Sequence, residues 1–250
     1  IEHTIANLER FWGDKMLTDV TARNCQAYIA QRPQAAARRD LETLRAAIGH
    51  WHKHYGPLPA IPAIVMPERS APRDRWLTRQ EAARLLWAAR RTPHLVRFIL
   101  IGLYTGTRSG AILALQWEWI DLERGTMRRK DVGERDTNKR RPIVRLGTRL
   151  LSHLRRWRDQ DFRQRRSSSV VHYDGRPVRK LRRSWAGAVR RAALGNDVTP
   201  HTLRHTRATW MMQKGVPIWQ AAGALGMTVQ MLERTYGHHH PDWQREAANA

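Results

Sequence analysis

A chain of 250 residues, 41% of them hydrophobic, can build one large core or two ordinary ones, which excludes a disordered basic tail. Its 45 Lys and Arg against 22 Asp and Glu give a net charge of +23, so the expected partner is a polyanion. Charge alone would also suit a ribosomal or membrane-surface protein, but eleven Trp in amphipathic segments argue against a simple charged coat.

Residues 1–67 hold eight Lys and Arg and six Asp and Glu, net +2, so the rest of the chain carries +21 and is the expected electrostatic grip. Ile5, Leu8 and Trp12 predict one helix, Thr21 through Ile29 a second, and Ala37, Leu41, Leu44, Ile48 and Trp51 a long third. These make a small helical bundle. The single cysteine, Cys25, falls at helical spacing among Ala22, Tyr28 and Ile29, which reads as a buried thiol in a reducing compartment such as a cytoplasm. No run reaches the length of a transmembrane helix, no signal peptide is read, and the start at Ile1 raises the expectation of a removed N-terminal piece. Pro57, Pro59, Pro62, Pro67 and Pro72 forbid a helix and predict an extended connector ending in Arg73-Asp74-Arg75. The expected division is a helical domain over 1–67, a Pro-rich basic linker over 68–75 and a second domain over 76–250.

In the second domain, Thr78 through Glu81 is a capping box before Ala82, Leu85, Leu86 and Ala89. Pro93 to Tyr104 reads as a buried helix closed by Gly106, and Ser109 to Gln116 as the next, which leaves Arg108 at a tight junction beside free N–H groups. Residues 126–146 predict a small antiparallel sheet with a basic hairpin. Leu150, Leu151, Leu154 and Trp157 predict another helix, Arg163 to Ser169 a basic loop, and Leu181, Trp185, Ala188, Val189 and Ala192 a further helix. Thr199-Pro200 reads as an N-cap and first turn that puts His201 and Arg204 on a positive helix end.

Arg108, His201, Arg204 and Tyr236 are two guanidinium forks, an imidazole and a phenol. Two forks can hold the non-bridging oxygens of one phosphate, which lysine geometry cannot do. A tyrosine hydroxyl beside them is a nucleophile for a covalent protein–phosphate intermediate, without a metal. His238-His239-His240 invites a metal reading, but adjacent residues rarely converge on one ion and no Cys or acid is suitably spaced, so no metal is expected.

These residues carry a resemblance. Thr105-Gly106-Thr107-Arg108 running into Ala114-Leu115-Gln116-Trp117, then His201-Thr202-Leu203-Arg204-His205-Thr206, then Leu225-Gly226-Met227 and Tyr236, resemble in order the boxes of the tyrosine recombinases, or phage integrases. The resemblance covers residues 76–240, and residues 1–67 with their linker look like the family's core-binding domain. It implies a mainly α fold with a small antiparallel β-sheet in the C-terminal domain: a helical core-binding domain followed by a mixed α+β catalytic domain.

The resemblance further implies a site-specific recombinase that cleaves and rejoins DNA through a 3′-phosphotyrosine link, with no cofactor. Tyr236 would attack, Arg108 and Arg204 would stabilise the phosphate, and His201 would move a proton or donate to the phosphate. A hairpin lysine, Lys139 in preference to Lys130, would protonate the leaving 5′ oxygen. Arg128, Arg129, Lys130, Arg140, Arg141, Arg182 and Arg183 are expected on DNA, with His205, Met227 and His238 as support. The implied partners are double-stranded attachment sites and copies of the chain, monomer or dimer when free and a homotetramer at synapsis, with no membrane. Two departures stand out: Met227 where the family has His or Trp, and Ala111 where an acid is common. They keep open a decayed integrase that only binds DNA; a type IB topoisomerase-like enzyme shares the chemistry, and an RNA-binding protein would not need these boxes.

Overall fold

A computed structural model describes residues 2–69, 75–131, 141–164, 167–245 and 247–249, and divides the chain into two compact units, Ile1–Arg73 and Asp74–Ala250. In the first unit, helices span Glu2–Trp12 (α1), Ala22–Ala30 (α2) and Gln34–His54 (α3), and the Thr21 side chain caps α2 by accepting from the Asn24 N–H. Leu8, Trp12, Cys25, Tyr28, Ala37 and Leu41 form their core. Asp40, buried in α3, accepts from the Tyr28 hydroxyl at 2.8 Å and pairs with Arg32 at 2.9 Å. Burial, then the Asp40 bond, pushes the Tyr28 phenol up to about 12. The stripe of α3 stops short of the Trp51 expected in it: at 21 residues α3 outruns α1 and α2, so Trp51 is exposed and stacks on Tyr55 instead. Ile5 is exposed too.

The proline-rich segment is extended but not detached. Ile64 and Met66 pack against the first core, the Leu58 N–H donates to His52 Nδ1 at 3.0 Å, and the Gln34 side chain donates to the Glu68 carbonyl at 3.2 Å.

The second unit is built around a helix over Pro93–Thr105 (α5), preceded by one over Arg79–Ala89 (α4). Proline at the first turn and a left-handed Gly106 at the end (φ +63°) bound α5 as its sequence dictates. The capping box of α4 is present, and Arg75 pairs with its Glu81 at 2.6 Å, which holds that carboxyl down to about 2. A short helix over Ser109–Leu113 (α6) ends before the expected Gln116. There the backbone finds other partners: Trp117 N–H donates to the Ser168 carbonyl and Val170 N–H to that of Leu115, so the chain leaves the helix and buries Leu115.

Strands Ile120–Asp121 (β1), Thr126–Met127 (β2) and Val144–Arg145 (β3) make an antiparallel sheet in that order, with Ile120 opposite Met127 and Met127 opposite Val144. The expected sheet therefore gains β1 as a partner; the tip of the basic hairpin, residues 132–140, lies outside the described residues. After the helix Thr148–Arg163 (α7) comes a hairpin absent from the sequence reading, His172–Tyr173 (β4) with Arg176–Pro177 (β5), turned at Asp174-Gly175 with φ of 46° and 78°.

The remaining helices are Arg182–Arg191 (α8), Thr202–Gln213 (α9), Ile218–Leu225 (α10) and Val229–Tyr236 (α11). A helix buried on most sides belongs inside a fold, and α9 does: Leu203 and Trp210 join the large core around α5, while Ala208, Met211 and Met212 join a second core with Leu225, Leu232 and Tyr236. Gly102 lets α5 and α9 meet, since a Cβ there would lie 2.7 Å from Leu203 Cδ1. Val229 is exposed at the start of α11, although it lies near Leu232 and Tyr236 in helical spacing.

A buried ion pair braces this unit. Arg97 of α5 grips Asp161 of α7 bidentately at 2.6 and 2.8 Å, and His172 and Trp117 complete the carboxylate's shell at 3.0 and 3.1 Å. Burial alone would raise the Asp161 carboxyl, but the bonds and charges of Arg97 and His172 hold it below its ordinary value. Breaking such a pair strands a buried charge, whereas replacing both partners does not. Asp161→Ala should therefore cost about 3–5 kcal/mol in urea denaturation, and the double change Arg97→Met with Asp161→Leu should recover most of it. Equal losses in both variants would mean that the site tolerates a lone guanidinium.

Candidate active site

The candidate site gathers where α5 ends and α9 begins. Arg108 follows the left-handed Gly106 by two residues, and Thr105 and Thr107 lock the turn through their hydroxyls, 2.6 Å apart. The helix expected from Thr199-Pro200 starts at Thr202, because Thr202 Oγ1 accepts from the Thr199 N–H and residues 199–202 form a turn that leads in. His201 thus stands at the helix mouth and Arg204 in its first turn. Arg204 is buried at 3% exposure and its Nη1 donates to the Gly106 carbonyl at 2.7 Å.

Tyr236 is the last residue of α11, capped at its start by Thr228. Its ring belongs to the second core, and its oxygen shares a 2.6 Å hydrogen bond with His205 Nδ1, in which the phenol donates when that nitrogen carries no proton. His205 in turn meets the edge of His201, ring centres 4.8 Å apart. The charges complete the picture of proximity. His201 is exposed by surface area, and the partial burial of its ring, then His205, Arg204 and Arg108, lower the imidazole to about 4; burial, then Arg108, lowers Arg204 to about 10, against an opposing pull from Tyr236. Burial and then Arg141 lower Arg108. Arg108, His201, Arg204, His205 and Tyr236 therefore come together in one place.

The other sequence candidates fall differently. Lys139 and Arg140 lie outside the described residues; Lys130 and Arg141 are half-buried on either side of that gap. Arg182 and Arg183 are exposed at the start of α8, and Arg128 points outward, donating to the Glu118 carbonyl at 3.3 Å. Arg129 departs from the expectation of a DNA-facing surface residue. It is buried at 3% exposure and its Nη2 donates to the Thr105 carbonyl at 2.8 Å. Arg129 lies two residues past β2, where the Arg128 N–H still donates to the Trp119 carbonyl, so the strand's alternation carries on and Arg129 falls on the side of fully buried Met127. That period of two, counted from Met127, was the signal in the sequence. Burial, then Arg204 and Arg108, lowers its guanidinium to about 9.

His238 is exposed in a 3₁₀ turn over Gly237–His239, its ring 4.0 Å from that of His239, which meets Trp76 edge-on. Met227 is half-buried against the second core, and its N–H donates to the Ala222 carbonyl at 3.0 Å. Ala111 lies in the first turn of α6.

Against known proteins, the profile of the Phage integrase family matches residues 75–242. The chain is 28% identical to the integrase of Salmonella phage P22 over 253 residues, covering 94% of this chain and 62% of that protein. It therefore spans less than two thirds of that relative. Among solved structures, the Tn1549 transposon integrase in complex with transposon right end DNA superposes with a TM-score of 0.76 at 16% identity, over 99% of this chain and 93% of that one. A lambda integrase tetramer bound to a Holliday junction gives 0.71 at 20% identity, over 97% and 72%. At such identities the likeness establishes the mainly α fold with its small antiparallel sheets.

The crowding at His201 has a measurable result. By NMR its ring should titrate near 4, and His205→Ala should move the midpoint upward. A folded state with a lowered histidine pKa binds fewer protons than the unfolded chain between about 4 and the ordinary 6.5, so this residue destabilises the fold as pH falls through that window. A midpoint at 6.5 in the folded protein would mean that His205, Arg204 and Arg108 do not bear on the exposed ring.

Proposed function

The chain belongs to the phage integrase family, and on that footing we propose that it is a site-specific DNA recombinase that cleaves and rejoins strands through a 3′-phosphotyrosine intermediate. The observation that carries this reading is the phenol of Tyr236, held 2.6 Å from an imidazole nitrogen beside two buried or half-buried guanidiniums. In the reaction, Tyr236 Oη bonds to the scissile phosphorus and gives its proton to His205, while the bond from phosphorus to the 5′ oxygen breaks. The leaving oxygen takes a proton from a hairpin lysine, Lys139 by preference over Lys130. Arg108 and Arg204 stabilise the charge that builds on the non-bridging oxygens, a role in which one lost donor typically costs 10²–10³-fold. His201, neutral at physiological pH, donates an N–H to the phosphate or relays the proton through His205. Attack by a 5′ hydroxyl on the phosphotyrosine then rejoins the strand and releases the Tyr236 oxygen, and the retained bond energy makes ATP unnecessary.

The substrate is double-stranded DNA at attachment sites, bound in the bacterial cytoplasm by a monomer or dimer that assembles as a homotetramer at synapsis. The lambda integrase tetramer on a Holliday junction supports that assembly by analogy. Residues 1–67 act as the core DNA-binding domain, 68–75 as linker and 76–250 as the catalytic domain. Outward cations such as Arg128, Arg182 and Arg183 grip the backbone. The retained Tyr236–His205 bond weighs against a decayed, binding-only integrase.

A nicked duplex carrying the element's own attachment site tests the chemistry directly. Tyr236→Phe should form no covalent complex while binding the duplex nearly as well, because the ring still packs. Arg204→Lys should lose about 10²-fold or more in the covalent step, since a point charge cannot replace the fork. Adduct formation by Tyr236→Phe would remove that residue from the mechanism.

Salt tests the grip. With +21 on residues 68–250, and six to ten phosphates neutralised, affinity should fall roughly 10³–10⁵-fold between about 50 and 200 mM salt. A flat salt profile would contradict a phosphate-dominated interface.

A further inference from the structure

The second unit buries guanidiniums in two contrasting ways. Arg97 is fully met by a carboxylate. Arg129 and Arg204, each only 3% exposed, hold carbonyls of successive residues at the end of α5, Thr105 and Gly106, and among the described residues neither pairs with a carboxylate. Arg129 Nε and Arg204 Nη2 are buried with no hydrogen-bond partner among the described residues. Buried cationic N–H groups left unmet are costly, and such groups are retained where something else meets them. Arg108 adds a third guanidinium, close enough to lower the proton affinity of both others.

We propose that Arg129 is a third guanidinium of the phosphate site, a positioning residue whose field adds to Arg108 and Arg204 and counts most when the phosphorus is five-coordinate. This rests on the reading of the site as one that cleaves a phosphodiester. A phosphodiester carries one negative charge, and attack by a phenolate raises that to two. Three fixed cations exceed what the ground state requires and suit the doubly charged transition state, so the third accelerates the step more than it tightens binding. Buried behind the turn, Arg129 acts across the Thr105 and Gly106 carbonyls and not as part of the DNA-facing surface.

The test uses the 250-residue chain with Arg129→Met, Arg129→Gln and Arg129→Lys. On the nicked duplex, the Met and Gln variants should form the Tyr236 adduct about 10²-fold more slowly with duplex affinity within about twofold of wild type, and Lys should recover part of the rate by restoring the charge. Thermal melts with inorganic phosphate, against chloride at equal ionic strength, give an independent readout. Wild type should be stabilised by phosphate, and Arg129→Met should lose that response whatever its own melting temperature, since the variant also gives up the bond to the Thr105 carbonyl. A merely structural arginine predicts an intact phosphate response, and that result overturns the proposal. So does a wild-type adduct rate in Arg129→Gln, which decides the matter should the Met variant fail to fold. If wild type forms no adduct yet its phosphate response depends on Arg129, the anion site stands and the recombinase reading falls.

Discussion

The carbonyls at the C-terminal end of α5 organise the site. A helix leaves its last carbonyls without intrahelical partners and with partial negative charge. Here the orphans of Thr105 and Gly106 are taken by Arg129, two residues past the end of β2, and by Arg204 from α9, so a defect common to helix ends becomes the clamp that joins a strand's exit, a helix and a turn. The left-handed Gly106 makes this geometry available: it lets the chain reverse so that Arg108 faces the same space. A side chain at Gly106 would be strained by its φ and would meet Leu225 of α10, so the turn is pinned from both the backbone and the second core.

The same economy appears in α9. Its first turn brings His201, Arg204 and His205, and its body is wedged between two cores, so the groups that need fixed directions ride on an element with little freedom to tilt. Tyr236 approaches from α11 through the second of those cores. Its position relative to the arginines is set by packing among Ala208, Leu225 and Leu232 as much as by the bond to His205.

Much of this was legible in the residues. The three helices of the first unit, α4, α5, α7, α8 and α9 of the second, the capping box at Thr78, the closure of α5 at Gly106 and the burial of Cys25 follow from period 3.6, cap chemistry and glycine's left-handed freedom. What was not legible depended on partners distant in sequence. The early end of α6 is decided by pairing with residues 168–170, and the exposure of Trp51 by the lengths of its neighbours. Two features carried local signals that composition obscured. Asp174-Gly175 is a strong turn signal lost in an arginine-rich stretch, and Arg129 was read as another basic surface residue although alternation from Met127 turns it inward. In a chain with 45 Lys and Arg, charge is a poor guide to which arginine is exceptional; burial distinguishes them.

The seating of Tyr236 in a hydrophobic core also has a mechanical meaning. In the proposed intermediate the DNA strand would be bonded to an oxygen whose ring is wedged at the end of α11, and not to a side chain on a free loop. Tension or torque along that strand would then load Leu232 and Tyr236 against Ala208 and Leu225, and pass through α9 into the large core. Such an anchor is stiff. It would keep the severed end in register under the twist of a coiled chromosome, and would yield only when the packing of α11 itself gave way.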